Sequence, residues 1–186
     1  MKRTFDLILC VISLVILAIP LFFVFMAVRL TSKGPALHWS KRIGVNNNIF
    51  LMPKFRSMRI DTPQVATHLL TDPRQYLTPV GNFIRKTSLD ELPQLFSVLS
   101  GEMSFVGPRP ALFNQDDLRD LRTKYGIEKL KPGITGWAQV NGRDELPIPA
   151  KVEFDRYYLE HQSLALDIKI IFMTAFKVLR RDGVSH

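Results

Sequence analysis

The hydrophobic positions of the chain change rhythm twice. Over residues 7–28 they are continuous, with no charged residue. These about 22 residues are enough for a helix to cross a hydrocarbon core of about 30 Å. Two short β-prone pieces follow, 36–40 and 49–58. Between them lie Gly44 and the turn formers Asn46, Asn47 and Asn48, which predicts a hairpin. After Thr87 the spacing becomes helical: Leu89, Leu92, Leu95, Phe96 and Leu99 make one stripe, and Gly101 is a suitable stop. A further helix is predicted from an Asn114 cap to Lys124, with Leu118, Leu121 and Tyr125 as its apolar face. Residues 134–140 read as a short strand, and 150–161 and 166–181 as two more helices. Residues 61–76, with Pro63, Asp72 and Pro73, read as a loop with at most one helical turn. The expected fold is α+β and mostly helical, with a membrane segment over 1–33 and a catalytic domain over 34–186.

The apolar run is too long for a signal peptide, and no small-residue cleavage site follows it. Pro20 sits well inside the run, where proline removes a backbone hydrogen bond and favours a kink. Both flanks are cationic, Lys2 and Arg3 before and Arg29 and Lys33 after, so charge sets no orientation. A bent, re-entrant helix that returns to the face it entered is the favoured reading, ahead of a kinked span. A helix buried in a soluble core is a third reading, disfavoured because the run is apolar all round.

The 186 residues carry a net charge of +8 and a pI near 9.8, which calls for an anionic partner. Recognised RNA-binding signatures are absent, which argues against nucleic acid and leaves anionic lipid and phosphorylated small molecules. The single cysteine, Cys10, excludes an internal disulfide, and no histidine falls at metal-ligand spacing. Lys54 and Arg56 alternate about Phe55, so a strand there would turn both cations to one phosphate- or headgroup-facing side. A solvated basic edge is the plainer account of the same residues.

The chemistry concentrates in residues 85–110, RKTSLDELPQLFSVLSGEMSFVGPRP. Asp90 and Glu91 stand at an expected helix start between Arg85 and Lys86 on one side and Arg109, held between Pro108 and Pro110, on the other. Ser88 with Glu91 matches a capping box, whereas Asp90 as the cap would put Pro93 in the first turn. Capping and catalysis both remain open for the pair. A helix start favours a carboxylate and receives phosphate equally well, and an ionised carboxylate there is a competent nucleophile.

KRTFD at 2–6, KFRSM at 54–58, SLDELPQL at 88–95, MSFVGPRP at 103–110 and KPGITGWAQVNGR at 131–143 together closely resemble the bacterial sugar transferases known as monotopic phosphoglycosyl transferases, over essentially the whole chain. The resemblance is to their minimal catalytic core. It implies transfer of a sugar phosphate from a UDP-sugar to polyprenyl phosphate, usually undecaprenyl phosphate, at the cytoplasmic face of the bacterial inner membrane. Asp90 would be the nucleophile, UMP the leaving group and Glu91 a holder of Mg²⁺ beside Asp90. Lys54, Arg56, Arg85, Lys86, Arg109 and Arg143 are the expected phosphate or substrate contacts. Asp167, which otherwise reads as a helix cap, is a further candidate. Such enzymes often carry Ser-Pro at the membrane-helix kink; here Ile19 precedes Pro20. Surface-seated amphipathic helices would also suit a homodimer.

Overall fold

The structure, a computed structural model, describes residues 1–63, 72–142 and 146–180. It is mostly helical. Helix α1 (Lys2–Thr31) is followed by a hairpin of β1 (Leu37–Ile43) and β2 (Ile49–Phe55). Two short helices come next, α2 (Gly81–Lys86) and α3 (Gln94–Ser100). Strand β3 (Ser104–Val106), helix α4 (Asp116–Lys124), strand β4 (Gly133–Thr135) and helix α5 (Trp137–Asn141) precede the longer helices α6 (Ile148–His161) and α7 (Leu164–Arg180).

Helix α1 continues through Pro20, and one face of it is built into the domain. Cys10 packs with Phe50, Met52, Leu95, Val98 and Met103, flanked by Leu14 and Leu17. Further along, Leu21, Val24 and Val28 pack with Ala36, Phe55, Ile84, Leu89 and Leu92. The positions 10, 14, 17, 21, 24 and 28 advance by alternating fours and threes, which keeps one narrow seam facing a partner. Both flanks are tied by polar bonds. Arg3 donates to the Val98 and Leu99 carbonyls at 2.6 and 2.9 Å. Asp6, buried, accepts from Ser104 Oγ at 2.8 Å and from the Phe105 amide at 3.2 Å. At the far end Arg56 holds the Ser32 and Lys33 carbonyls. The opposite face, including Val15, Ile16, Ile19, Phe22 and Phe23, is 60–72% exposed.

The hairpin forms in the expected place, antiparallel, with Lys54 opposite His38. Its turn puts Asn46 and Asn47 at positive φ, the region asparagine tolerates. Strand β3 pairs in parallel with β4, a second sheet that local alternation did not announce. A Cβ on Gly107 would collide with the Lys131 carbonyl, and one on Gly133 with the Gly107 amide. The two segments approach backbone to backbone, which only glycine permits.

Several local expectations are corrected. Residues 134–140 are not one strand: β4 ends at Thr135, and extended Gly136 leads into α5. Neither cap proposed for the stripe after Thr87 forms. Ser88 takes a left-handed φ of 55° with no side-chain cap, residues Leu89–Glu91 make a 3-10 turn, and α3 begins after Pro93. Proline cannot supply an interior hydrogen bond, so the helix restarts behind it. Gly101 ends α3 in the left-handed region, as expected. Gln115, not Asn114, precedes α4, and its side chain accepts from the Leu112 amide. Asp167 does not cap α7; Ser163 Oγ receives the Leu166 amide instead.

Candidate active site

The 3-10 turn Leu89–Glu91 sits between α2 and α3, with Leu89 and Leu92 packed against the α1 seam. This anchors the two acids between them and turns them to different surroundings. Glu91 Oε1 receives Lys54 Nζ at 2.7 Å from β2 and Arg109 Nη2 at 2.9 Å from the loop after β3; Arg109 Nη1 lies 3.4 Å from Oε2. Asp90 is 9% exposed. Among the described residues its carboxyl makes no hydrogen bond or ion pair.

The electrostatics divide the pair accordingly. Burial raises the Asp90 pKa from 3.8 to about 6, and the adjacent Glu91 charge adds to this against the pull of Lys54, Arg85 and Arg109. Burial also opposes ionisation of Glu91, but Arg109 and Lys54 outweigh it and hold that carboxyl well below its ordinary range. Glu91 is therefore the fixed anion of the cluster. Asp90 is a carboxyl of raised basicity, ionised at neutral pH and not committed to a partner. Lys54 is itself lowered by desolvation, with Glu91 opposing.

The other expected residues divide in the same way. Arg85 lies within electrostatic reach of Asp90, and its Nη1 is 3.2 Å from Met58 Sδ. Lys86 is exposed at the end of α2. Arg56 is not brought to the dyad: β2 stops at Phe55, so the alternation does not carry past it, and the buried guanidinium turns to Ser32 Oγ and to the Ser32 and Lys33 carbonyls. Asp167, also buried, pairs with Lys2 Nζ at 2.7 Å and accepts from Tyr158 at 2.6 Å, joining the start of α1 to α6 and α7. Burial and this bond raise the Tyr158 pKa, so the phenol keeps its proton. Arg143 lies outside the described residues.

Three features escaped the sequence reading. His38 faces Lys54 across the hairpin and is kept below its ordinary 6.5 by desolvation and by the charges of Lys54 and Arg42. Arg42 Nη1 donates to the Pro110 carbonyl at 3.1 Å, and Arg122 Nη1 to the Arg109 carbonyl at 2.9 Å. Strand alternation from Lys54 points to His38 and Arg42 once the register is known. No sequence signal pairs Arg122 with the loop.

The described residues include no cluster of three His, Cys, Asp or Glu side chains able to cage a metal. The donor set still fits Mg²⁺ in its usual form, held by one or two carboxylates with phosphate oxygens completing the shell. The Asp90 carboxyl, unbonded among the described residues, would supply hard oxygen; Glu91 Oε1 is taken by Lys54 and Arg109, and its Oε2, 3.4 Å from Arg109 Nη1, would be the freer of the two.

The sequence model of the family described as bacterial sugar transferase matches residues 1–181. An undecaprenyl-phosphate galactose phosphotransferase of Salmonella typhimurium is 41% identical over 201 residues, covering 98% of this chain and 41% of the relative. A UDP-glucose:undecaprenyl-phosphate glucose-1-phosphate transferase of Escherichia coli is 43% identical, covering 95% and 40%. The uncharacterized sugar transferase EpsL of Bacillus subtilis is 40% identical, covering 100% of this chain and 91% of its own. The chain thus spans about two-fifths of the length of the first two relatives and nearly all of the third. A family match over residues 1–181, together with a relative 40% identical and covered to 91% of its length, has one meaning: the chain belongs to the bacterial sugar transferase family.

Proposed function

We propose that the protein transfers a sugar phosphate from a UDP-sugar to undecaprenyl phosphate through a covalent aspartyl intermediate. The observation that carries this is the division of the dyad: Glu91 is clamped by Lys54 and Arg109, while Asp90 is buried, unbonded and raised to about 6. A carboxylate oxygen of Asp90 attacks the sugar-linked phosphorus of the donor. The bond from that phosphorus to the bridging oxygen breaks, and UMP leaves with the electron pair. A phosphate oxygen of the lipid then attacks the same phosphorus, expels the Asp90 carboxylate and yields the polyprenyl diphosphate sugar. Two anions meet in each step, so cations at close range are required. Arg85 and Arg109 offset the charge of the donor phosphates, and Lys54 keeps Glu91 from repelling them. Mg²⁺ held by Asp90 and Glu91 with the donor phosphates would neutralise developing charge on the leaving oxygen.

The same reading seats the protein on the cytoplasmic face of the inner membrane. Both flanks of α1 are fastened to one domain, which supports a re-entrant helix over one crossing the bilayer. Phe83, Phe96 and Leu99 on α2 and α3, and Ile168, Phe172 and Phe176 on α7, are exposed apolar side chains suited to lying in the headgroup region. The lipid phosphate would reach Asp90 from that plane. The relatives' names specify galactose and glucose, so UDP-galactose and UDP-glucose are the donors to try first.

The test incubates detergent-extracted protein with each UDP-sugar and no lipid acceptor. UMP should be released in about one equivalent, with a phosphosugar mass on the peptide holding Asp90, and Asp90→Asn should abolish both. Release of UDP would instead identify a transferase that moves only the sugar. An unchanged adduct in Asp90→Asn would remove Asp90 as nucleophile.

A further inference from the structure

Arg109 reaches Glu91 from a loop that has few donors of its own, because Pro108 and Pro110 have no N–H. The loop is held instead by its carbonyls. Pro108 O receives the Gly133 amide at 2.9 Å, Arg109 O receives Arg122 Nη1 at 2.9 Å, Pro110 O receives Arg42 Nη1 at 3.1 Å and Ala111 O receives the Ile43 amide at 3.0 Å. The contact at Arg109 itself differs in kind. Arg122, on α4, directs Nε and Nη2 at Asp155 Oδ2, 3.0 and 2.6 Å away on α6. Asp155 is 1% exposed. A charged pair withdrawn from water contributes little net stability, because desolvation cancels most of its attraction. What it does supply is direction: a guanidinium fixed at two nitrogens has a third that can point only one way. Here that nitrogen meets the carbonyl of the residue whose side chain clamps Glu91.

We infer that Arg122, oriented by Asp155, is a positioning residue that fixes Arg109 against Glu91. The inference rests on the proposed transfer reaction only for its kinetic arm. Arg122 bonds to Asp155 and the Arg109 carbonyl rather than to Asp90 or Glu91, and it acts by keeping the Arg109 backbone in one place, so that the guanidinium meets both Glu91 and the incoming phosphates without searching. A planar fork is essential to this. Lysine can pair with Asp155 but cannot also serve a carbonyl in the direction of Nη1.

The test uses the full chain in detergent, with UDP-glucose and UDP-galactose as probes. Arg122→Lys keeps a cation against Asp155 and should stay folded, yet single-turnover UMP release should fall about 10- to 100-fold, the order expected for a displacement of about 1 Å. In an Arg109→Gln background the same Arg122→Lys change should cost less than about twofold, because the residue it positions is gone. A full loss in both backgrounds, or a wild-type rate in Arg122→Lys, overturns the inference. If the wild-type protein releases no UMP, the proposed reaction has failed and the inference is judged on unfolding alone. There, the coupling between Glu91→Gln and Arg109→Gln, expressed as a factor in the unfolding constant, should shrink at least about threefold when Arg122 is lysine. An unchanged coupling overturns it. Asp155→Leu, which is close in shape and offers the fork no acceptor, should repeat the result if Arg122→Lys folds poorly.

Discussion

Adjacent carboxyls can take different roles only when their surroundings push their proton affinities apart, and Asp90 and Glu91 show how three residue positions achieve this. Lys54 and Arg109 both commit to Glu91, which leaves Asp90 to bear the cost of burial. With a pKa of about 6 against an ordinary 3.8, Asp90 ionises less readily in the folded protein than in the unfolded chain. Its contribution to stability is therefore greatest below about pH 4 and is lost as pH rises through about 6. In metal-free buffer at pH 8, Asp90→Asn should stabilise the protein by up to about 3 kcal/mol, an effect that fades toward pH 4. Glu91 has the opposite sign: its stabilisation is present above its ordinary 4.5 and is lost as pH falls below it. Glu91→Gln should destabilise at neutral pH by about 3 kcal/mol, since buried Lys54 loses the carboxylate it donates to. Denaturant titrations of both variants across pH check the two signs. Kinetically, single-turnover UMP release should rise with pH up to about 6 and then level, and the midpoint should fall as Mg²⁺ is raised if the metal sits on Asp90. The acids, Lys54 and Arg109 were legible in the sequence because motif and local charge mark them. Arg56 was misjudged because two-residue alternation holds only while the strand lasts. Arg122 and Asp155 were invisible because their pairing joins two helices through residues 33 positions apart.

At the scale of elements, the turn Leu89–Glu91 explains why a capping argument misleads here. The acids do not cap α3; Pro93 separates them from it, and the leucines on either side anchor their turn against α1. The β3–β4 pair was illegible for a related reason: three-residue parallel strands lack the length to show a period, and their partnership depends on glycine contacts remote in sequence. Gly133→Ala should therefore destabilise by more than about 2 kcal/mol and displace the Arg109 loop, because the added carbon meets backbone that cannot yield. Thermal unfolding and UMP release should fall together. The α1 seam was hidden for the opposite reason, since a run apolar on every side conceals which side is packed. Its polar fastening can be tested at Asp167, which is buried between Lys2 and Tyr158. Asp167→Ala should cost about 3 kcal/mol and lower activity indirectly. Lys2→Ala should cost less, because Lys2 is 28% exposed.

For the molecule as a whole, α1 is both the apolar segment and a wall of the core. Thr4→Cys and Thr31→Cys, in a Cys10→Ala background, report its topology. With a re-entrant helix both should react with a membrane-impermeant maleimide in inverted vesicles and neither in intact spheroplasts, whereas a spanning helix would give one of each. The seam also has a consequence in time. Lys2 leaves the ribosome 165 positions ahead of its partner Asp167, and Cys10 must wait for Leu95 and Met103. The helix therefore has to find a lipid environment long before the residues that cover its packed side exist. Until those residues exist, the packed side of α1 is as exposed as its opposite face. In the proposed reaction, this order ties completion of the fold to the membrane that would hold the lipid acceptor.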